Sequence, residues 1–332
     1  MKLSVVIPYY NTNALIGRML DSLLDQGLEP SEYEIIIVDD GSDSEAVVAK
    51  DYAARYAQIS YYRNEHAGVS AARNFGMGLA KGDWLYFCDS DDFLQPRVLG
   101  PMIDIAEERD LDILHARRVM LRPSDTVPEP RRNFSDVSQT QTGLEYFGDE
   151  PYDLTWSMCV CILRRSFIDP LGLRFEDLFY VEDCLFKLQV FKYARKVAFV
   201  DVDLYYYMQN EVSILHSKKQ GDTKAFTEAT IRSIEAKYAL IQDPATPAKA
   251  AEALKRGCTD DSIGLITNVF RYCPVRETKA CIDRLEAMGA WPVAETKSTS
   301  GSKLRVLINH RHLWMALCRL FHLLPHSVRV RM

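Results

Sequence analysis

The segment Asp89-Ser90-Asp91-Asp92 follows directly on the apolar run 84–88, which is typical of a buried strand. Three carboxylates this close repel one another unless a cation or hydrogen-bond donors compensate their charge. A hard divalent cation held by one or two carboxylates, with a substrate's phosphates completing its coordination, would compensate it. The alternative is a solvated acidic turn before the next helix, because aspartate is favoured at turns and helix starts. This segment alone leaves both interpretations open.

A second acidic pair, Asp39-Asp40, follows the apolar run 35–38 and precedes Gly41. A carboxylate here can accept a hydrogen bond from a base N–H or a ribose hydroxyl, while the glycine permits the turn. The alternative is an Asx turn that caps the following helix.

Gly68 opens a predicted helix that carries Arg73. Helix N-terminal amides attract anions, and the arginine can add a charge-assisted contact to a diphosphate. The alternative is an exposed arginine on an ordinary helix. Gly76 and Gly78 resemble part of a dinucleotide fingerprint, but they lie inside the helix rather than between strand and helix, so we reject that interpretation.

A third acidic pair, Glu182-Asp183, lies in an apolar and aromatic context. A carboxylate near aromatic side chains can have a raised pKa and act as a general base. Glu176-Asp177 is a competing pair six residues earlier, and the residues alone do not choose between them. For either pair the alternative is a helix N-terminus, which favours negative charge.

The elements that position these residues follow an alternating α/β pattern over the first 120 residues. Such alternation predicts right-handed crossovers and a largely parallel sheet covered by helices on both faces. Ligands bind such sheets at the carboxyl ends of the strands, near a topological switch point. The predicted strands are 3–7, 34–38, 59–62, 84–88 and 112–115, and the predicted helices are 14–26, 45–56, 69–80 and 96–109. Polar segments that we expect at one edge of the sheet are 8–11, 39–42, 64–68 and 89–92.

Beyond the first 120 residues the pattern changes. Residues 121–143 are rich in Pro, Ser and Thr and predict a long loop. Residues 196–208 predict two short strands around Asp201 and Asp203, and the pattern is helical from 223 onward.

The composition is that of a globular protein, with 47% hydrophobic and 26% charged residues among 332. A net charge of -6 disfavours non-specific nucleic-acid binding. The eight cysteines form no CxxC pair and predict buried, reduced thiols. The first residues lack a signal peptide's apolar core and no apolar run reaches membrane-spanning length, which predicts a soluble cytoplasmic protein.

Charge is unevenly distributed along the chain. From residue 297 to the end there are seven Lys or Arg and no Asp or Glu, which leaves about -13 for residues 1–296. Leucines and aromatic residues alternate with the basic ones over 303–332, and a basic amphipathic helix of this kind can lie in an anionic membrane interface. The alternative is a terminal helix that docks on the acidic body or on a second subunit.

Five segments in order and in register resemble the family 2 glycosyltransferases of the GT-A fold. They are 4–11, 34–42, 71–76, 85–92 and 182–186, and the resemblance covers roughly residues 1–210. It implies a catalytic domain over 1–215, with a nucleotide-sugar half at about 1–120 and an acceptor half at about 121–215. A helical C-terminal region, 216–332, follows it.

In that family a nucleotide-diphosphate sugar, most often a UDP-sugar, lies across the strand ends. The resemblance implies that Asp40 holds the uracil base, that Arg73 contacts the nucleotide or diphosphate, and that Asp89 binds ribose or sugar. The other implied donor-site residues are Pro8, Tyr9, Asn11, Asn64, Gly68 and Ser90.

The resemblance also implies a metal and a base. Asp91, with Asp92 in support, would ligate Mn²⁺ or Mg²⁺, and Asp183 would be the general base with Glu182 beside it. One base without a second carboxylate as nucleophile suits an inverting displacement. His216 would contact the metal or a phosphate, although a solvent-exposed loop histidine is the alternative.

The acceptor is expected to be a glycan or a lipid-linked glycan of the cell surface. Trp156 can form a wall of its site by stacking on sugar, although an aromatic in apolar surroundings is also typical of a core. A nucleotidyltransferase would favour a basic, glycine-rich loop after the first strand, which 8–11 does not provide. A catalytically inactive sugar-nucleotide-binding protein would not need both the 91–92 and the 182–183 carboxylate pairs.

Overall fold

The computed structural model of the chain describes residues 1–149, 157–178, 180–209, 223–294 and 303–323. These residues divide into two compact units. The first comprises 1–146, 157–177 and 182–209, and the second comprises 147–149, 178, 180–181, 223–294 and 303–323.

One half of the first unit's sheet consists of four parallel strands in the order β3-β2-β1-β4. Each strand of the inner pair reads as a nearly continuous apolar run because helices cover both faces of the sheet. The strands are β1 (Leu3–Tyr9), β2 (Tyr33–Asp39), β3 (Ile59–Arg63) and β4 (Trp84–Phe87). The chain moves outward from β1 to β3 and then returns to the other side of β1, so the switch point lies between β1 and β4.

Four helices connect and cover these strands: α1 (Ile16–Leu24), α2 (Val47–Arg55), α3 (Val69–Leu79) and α4 (Leu99–Glu108). α1 buries Ile16, Met19, Leu20 and Leu23, the spacing of one helical face. All five strands and four helices predicted for the first 120 residues are therefore present, with boundaries that differ by a few residues; the fifth strand is β6 (Ile113–Leu121).

The other half of the sheet is mixed. β8 (Cys161–Arg164) pairs antiparallel with both β4 and β6, and β9 (Val197–Met208) pairs parallel with β6. The short strands β5 (Phe93–Leu94) and β7 (Arg132–Val137) pair antiparallel with β9. Of the nine strands in the described part of the chain, six point in one direction, so the sheet is mostly parallel, as predicted.

Two predictions for the middle of the chain are wrong. Residues 121–143 contain β7, which the sequence did not reveal because an exposed edge strand lacks an apolar alternation. Residues 197–208 form one strand rather than two, because arginine compensates the carboxylates that interrupt the apolar pattern. Arg117 Nη1 lies 2.9 Å from Asp201 Oδ1, and Arg117 Nε lies 3.6 Å from Asp203 Oδ1.

Three further helices belong to this unit: α5 (Gly143–Tyr146), α6 (Arg165–Ile168) and α7 (Glu182–Tyr193). α7 buries Cys184, Leu185, Phe186, Leu188, Val190 and Phe191. Its first turn carries the acidic pair Glu182-Asp183.

The second unit is helical, as predicted from residue 223 onward. Its helices are α8 (Thr223–Ile241), α9 (Ala248–Tyr272), α10 (Val275–Ala287), α11 (Lys303–Asn309) and α12 (Arg311–His322). Their buried faces form one apolar core that includes Leu265, Ile282 and Trp314. The buried Lys237 ammonium lies 2.6 Å from Asp261 Oδ2, which compensates its charge. All eight cysteines of the chain are buried, and none of them is in a disulfide.

Within the residues that the structure describes, no helix combines the length and the apolarity needed to cross a membrane.

Candidate active site

The polar segments that follow β1, β2 and β4 meet at one edge of the sheet. Thr12 Oγ1 lies 2.7 Å from Ser90 Oγ, which joins the segments after β1 and β4. The amide of Asn11 donates to Ser42 Oγ at 2.9 Å, which joins the segments after β1 and β2. Since this edge lies at the switch point, it is the place where the topology predicts a ligand.

Asp39 builds the turn after β2. Its buried carboxylate accepts hydrogen bonds from the Ser42 amide at 2.8 Å and from the Tyr61 hydroxyl, and Arg63 Nη1 lies 3.3 Å away. The backbone carbonyl of Asp39 accepts the Asn64 amide at 2.8 Å, which places Asn64 at the carboxyl end of β3.

Asp40 joins the turn after β2 to the loop before α3. Its carboxylate accepts hydrogen bonds from the amides of Ala67 (2.8 Å) and Gly68 (2.9 and 3.1 Å), and His66 Nδ1 lies 2.8 Å from Oδ2. Gly41 has φ +72°, and a Cβ there would lie 2.8 Å from the His66 nitrogen, so a glycine is required. Asp40 therefore organises this loop, and its contact with a nucleobase stays a prediction.

The residues after β1 differ in what they expose. Pro8 and Tyr9 are buried at the end of β1, whereas Tyr10, the first residue after the strand, is exposed. The Tyr10 ring stacks on the His66 ring with centroids 4.7 Å apart and planes at 26°. The sequence did not single out Tyr10, which is the exposed aromatic ring at this point of the sheet edge, whereas the predicted Tyr9 is buried.

Asn11 has φ +55° in the left-handed region, where asparagine is better tolerated than most residues. Its side chain donates to Asp43 Oδ2 at 2.9 Å and accepts the Asp43 amide at 3.0 Å. The exposed Asn11 is thus held between the ends of β1 and β2, where the donor pocket was predicted.

Asp92 lies on the buried side of the acidic turn. The Tyr205 hydroxyl donates to its Oδ2 at 2.5 Å, and the Met208 amide donates to its Oδ1 at 2.7 Å. Burial, followed by repulsion from Asp91 and Asp89, raises the pKa of Asp92 to about 8. Both carboxylate oxygens of Asp92 accept hydrogen bonds from β9. The structure therefore favours a role for Asp92 in positioning the turn over the predicted role of supporting Asp91 as a metal ligand.

Asp89 and Asp91 are the partly exposed carboxylates of the same turn. Asp89 Oδ1 accepts from Arg73 Nη2 at 2.8 Å, and the buried thiol of Cys159 lies 3.7 Å from Oδ2. Arg18 Nη2 donates to the backbone carbonyl of Asp91 at 2.8 Å. The turn therefore presents oxygen ligands of the type that a hard cation prefers.

Arg73 is a buried guanidinium surrounded by three carboxylates. Its Nη1 lies 2.8 Å from both Glu182 Oε1 and Asp183 Oδ1, and its Nη2 lies 2.8 Å from Asp89 Oδ1. The sequence predicted a contact with the nucleotide or diphosphate, whereas in the structure both terminal guanidinium nitrogens contact carboxylates. Arg73 therefore joins the acidic turn after β4 to the start of α7.

Asp183 has a raised pKa of about 7. Burial is the largest cause, and the charges of Glu182 and Asp89 add to it, while the charge of Arg73 opposes it. The side chain keeps 19% of its surface exposed, so it is accessible to a substrate. The Met158 amide donates a long hydrogen bond, 3.4 Å, to its Oδ2.

The backbone just before α7 is strained. Val181 has φ +63°, which is unfavourable for a β-branched residue and turns the chain sharply into the helix. The first helical turn then places both Glu182 and Asp183 where the helix dipole favours negative charge.

The competing acidic pair has other partners. Glu176 Oε1 accepts Gln189 Nε2 at 3.1 Å, and the Glu176 carbonyl accepts Ser70 Oγ at 2.7 Å. The structure thus brings Glu182-Asp183, rather than Glu176-Asp177, onto Arg73.

The carboxylates that face the Arg73 guanidinium outnumber it. One guanidinium faces the carboxylates of Asp89, Glu182 and Asp183, and Asp91 follows two residues after Asp89. Among the described residues there is no cluster of three or more His, Cys, Asp or Glu that could hold a metal by itself. Asp89 and Asp91 fit a cation that is bound by one or two carboxylates and completed by phosphates.

Two predicted site residues, Trp156 and His216, lie outside the described residues.

The fold of this chain is the GT-A fold. It is similar to the crystal structure of Staphylococcus aureus TarS, residues 1–349, in complex with UDP-GlcNAc, with a TM-score of 0.64 and 20% identity over 87% of each chain. TarS is a poly(ribitol-phosphate) beta-N-acetylglucosaminyltransferase.

The family model for glycosyl transferase family 2 matches residues 4–169, and the chain belongs to this family. Its similar relatives include the glycosyltransferase EpsJ of Bacillus subtilis, 31% identical over 227 residues. That match covers 64% of this chain and 62% of EpsJ, so the chain spans less than two thirds of that relative. Bacillus subtilis EpsH is 30% identical over 252 residues, covering 72% of this chain and 69% of EpsH.

Proposed function

We propose that this protein is an inverting, metal-dependent glycosyltransferase. It would move a sugar from a nucleotide-diphosphate sugar, specifically a UDP-sugar, to a hydroxyl of a glycan or lipid-linked acceptor in surface polysaccharide biosynthesis. The observation that carries the proposal is the accessible Asp183, whose pKa is raised to about 7 and which Arg73 holds beside Asp89 at the switch point.

Asp183 is the general base of the proposed reaction. A base acts best when its pKa lies near the working pH, and about 7 meets this condition. Its carboxylate takes the proton of the acceptor hydroxyl while the hydroxyl oxygen attacks the anomeric carbon. The bond from that carbon to the diphosphate oxygen breaks on the opposite side, which inverts the configuration.

Arg73 orients the base in this scheme. Its guanidinium contacts both members of the 182–183 pair and Asp89, so the base and the donor side of the pocket keep a fixed separation. The positive charge also keeps a fraction of Asp183 ionised at neutral pH, because it opposes the effect of burial on that pKa. Glu182 contacts the same guanidinium nitrogen as Asp183, Nη1, and helps to fix the position of that nitrogen.

The donor site is assigned to the ends of β1, β2 and β4. The TarS crystal structure that shares this fold contains UDP-GlcNAc, which supports a UDP-sugar as donor here. Asn11, the Asp40 loop and the exposed Tyr10 ring would bind the nucleoside, and Asp89 would face the ribose or sugar.

Asp89 and Asp91 would hold Mn²⁺ or Mg²⁺ together with the donor's diphosphate. When bound, the cation would offset the charge that develops on the departing diphosphate. The excess of carboxylates over Arg73 supports this assignment, because a cation relieves their mutual repulsion.

The relatives support a hydroxyl-bearing acceptor. The name of TarS describes transfer of N-acetylglucosamine to poly(ribitol phosphate), a polymer of hydroxyl-bearing units. A hydroxyl acceptor of this kind needs the proton-accepting carboxylate that Asp183 provides.

The C-terminal helices support a peripheral position at the cytoplasmic face of a membrane. α12 buries Trp314 and Cys318 in the core of the helical unit, while Leu313, Leu320 and Leu323 face solvent. These leucines share one helical face, and Arg319 lies beside them. An exposed apolar stripe on a basic helix fits an anionic lipid surface.

The experiment that tests the function is a screen of UDP-sugars and other nucleotide sugars with the full chain, Mn²⁺ and a polyol or glycan acceptor. We expect release of UDP that depends on the acceptor, and stabilisation of the protein against heat by one donor. Undiminished turnover in excess chelator would contradict the metal assignment. Failure of every nucleotide sugar to bind would contradict the function itself.

A further inference from the structure

Tyr205 lies behind the acidic turn, on β9. The pairing of β5 with β9 sets Leu94 opposite Tyr205 and Phe93 opposite Tyr206. Only 1% of the surface of Tyr205 is exposed, so its hydroxyl must find its partners inside the protein.

A single oxygen atom connects both ends of the acidic turn. The Tyr205 hydroxyl donates to Asp92 Oδ2 at 2.5 Å and accepts the backbone amide of Asp89 at 3.2 Å. The Met208 amide binds the other oxygen of Asp92 at 2.7 Å, so β9 holds the turn at three points. Nothing in the local sequence around 89–92 indicates this contact, because Tyr205 and Asp92 are 113 residues apart.

We propose that Tyr205 is a positioning residue that holds the 89–92 turn in the conformation that binds a divalent cation and the diphosphate it carries. This inference rests on the proposed function. With the first and last residues of the turn tied to β9, the backbone that carries Asp89 and Asp91 is held in one conformation before a cation binds. Groups that orient metal ligands in this way commonly change metal affinity by 10–100-fold when removed.

The neighbouring Tyr206 provides a matched control. It is also 1% exposed, and its hydroxyl donates to Gln95 Oε1 at 2.9 Å. Tyr206→Phe therefore removes one buried hydrogen bond from the same strand without removing a contact to residues 89–92. Both substitutions keep the ring and its packing, so the two variants differ in which hydrogen bonds they lose.

The experiment compares the wild type, Tyr205→Phe and Tyr206→Phe by hydrogen exchange and by Mn²⁺ titration. We expect faster amide exchange in a peptide covering 88–92 for Tyr205→Phe alone. We also expect its affinity for Mn²⁺ in the presence of UDP, followed by the electron paramagnetic resonance signal of free Mn²⁺, to fall by about 10-fold or more. Thermal unfolding should show a loss of stability in both variants, and the larger loss in Tyr205→Phe, which gives up two hydrogen bonds rather than one.

Unchanged exchange at 88–92 in Tyr205→Phe would overturn the proposal, and so would equal effects of the two substitutions on exchange and Mn²⁺ affinity. A wild type that binds no Mn²⁺ with UDP would instead overturn the metal dependence of the proposed function. In that case exchange alone decides whether Tyr205 holds the turn.

Discussion

At the scale of single residues, the chemistry of this site depends on Arg73 and the carboxylates around it. Asp183 needs partial burial to raise its pKa, but full burial without a cation would leave it permanently protonated. Arg73 supplies the compensating charge at 2.8 Å, which brings the pKa of Asp183 to about 7. The same guanidinium fixes the distance between base and acidic turn.

Asp183→Asn should retain donor binding and lose transfer by about 10²–10⁴-fold, because the amide cannot accept the acceptor's proton. Calorimetric titration with UDP and a UDP-release assay measure the two quantities separately. The control is Asp177→Asn, which removes a carboxylate from the competing pair. Loss of transfer in Asp177→Asn rather than in Asp183→Asn would assign the base to the other pair.

The raised pKa of Asp183 also predicts how the stability of the protein changes with pH. The pKa of Asp183 is raised from 3.8 to about 7 on folding, so its stabilising contribution is present below about pH 4 and is lost as pH rises to about 7. As pH rises from 5 to 8 the wild type should therefore lose stability that Asp183→Asn keeps, and the difference in free energy of unfolding should change in favour of the variant by on the order of 2 kcal/mol.

Urea unfolding of the wild type and of Asp183→Asn at both pH values measures this difference. Turnover of the wild type should show the opposite trend, rising through pH 7 as the base ionises. A stability difference that does not change with pH would mean that Asp183 is already ionised throughout this range.

At the scale of elements, the close packing of α3 on β1 sets the position of Arg73 in the site. A Cβ on Gly76 would lie 2.4 Å from Val6 Cγ1, so only glycine lets α3 approach β1 this closely. Arg73 lies one turn earlier on the same helix. Of the two glycines that resembled part of a dinucleotide fingerprint, Gly76 allows α3 to pack closely on β1.

Gly76→Ala should destabilise the protein by about 1–3 kcal/mol, because the new methyl group displaces α3 from the sheet. Gly78→Ala is the control on the same helix: its Cβ would meet nothing within 4 Å, and it should be neutral or stabilising by up to about 1 kcal/mol. Urea unfolding measures both. Similar stabilities for the two variants would show that α3 can move away from β1 without a loss of stability.

Elements were predictable where a local pattern repeats. The strands β1 to β4 and the helices between them have apolar spacings that can be read directly. β7 could not be predicted because its stability comes from backbone pairing with β9. The sequence predicted two strands where β9 is one, because the ion pairs with Arg117 that compensate its acidic residues are not visible in the local pattern.

At the scale of the whole molecule, the helical unit carries exposed leucines on and just after α12. Leu320 and Leu323 expose 62% and 81% of their surface, while Arg311 pairs with Asp283 and Glu286 and holds the start of α12 on the unit. The tail was expected either to dock on the protein or to contact a membrane. Arg311 belongs to the docked face of α12, whereas Leu320 and Leu323 belong to the exposed face that the membrane contact would involve.

Replacing Leu320 and Leu323 together by Ser should release the full chain from vesicles that contain phosphatidylglycerol, with little change in stability, because both side chains are exposed. Co-sedimentation with vesicles measures binding. Met120→Ser, at a residue 51% exposed on β6, is the control for loss of an exposed apolar group elsewhere. Absence of vesicle binding by the intact chain would contradict the membrane assignment.

The sequence alone determined the α/β alternation, the family and the segments that meet at the sheet edge, because these depend on local periodicity and on short motifs in register. Only the tertiary structure decided that Arg73 pairs with Glu182, 109 residues away, rather than lying open to a phosphate. It also decided that Asp92 turns inward to Tyr205 and that Tyr10 rather than Tyr9 is exposed. The physical reason is the same each time: the role of a polar side chain is set by the partners and burial that long-range packing gives it, and residue type does not carry that information.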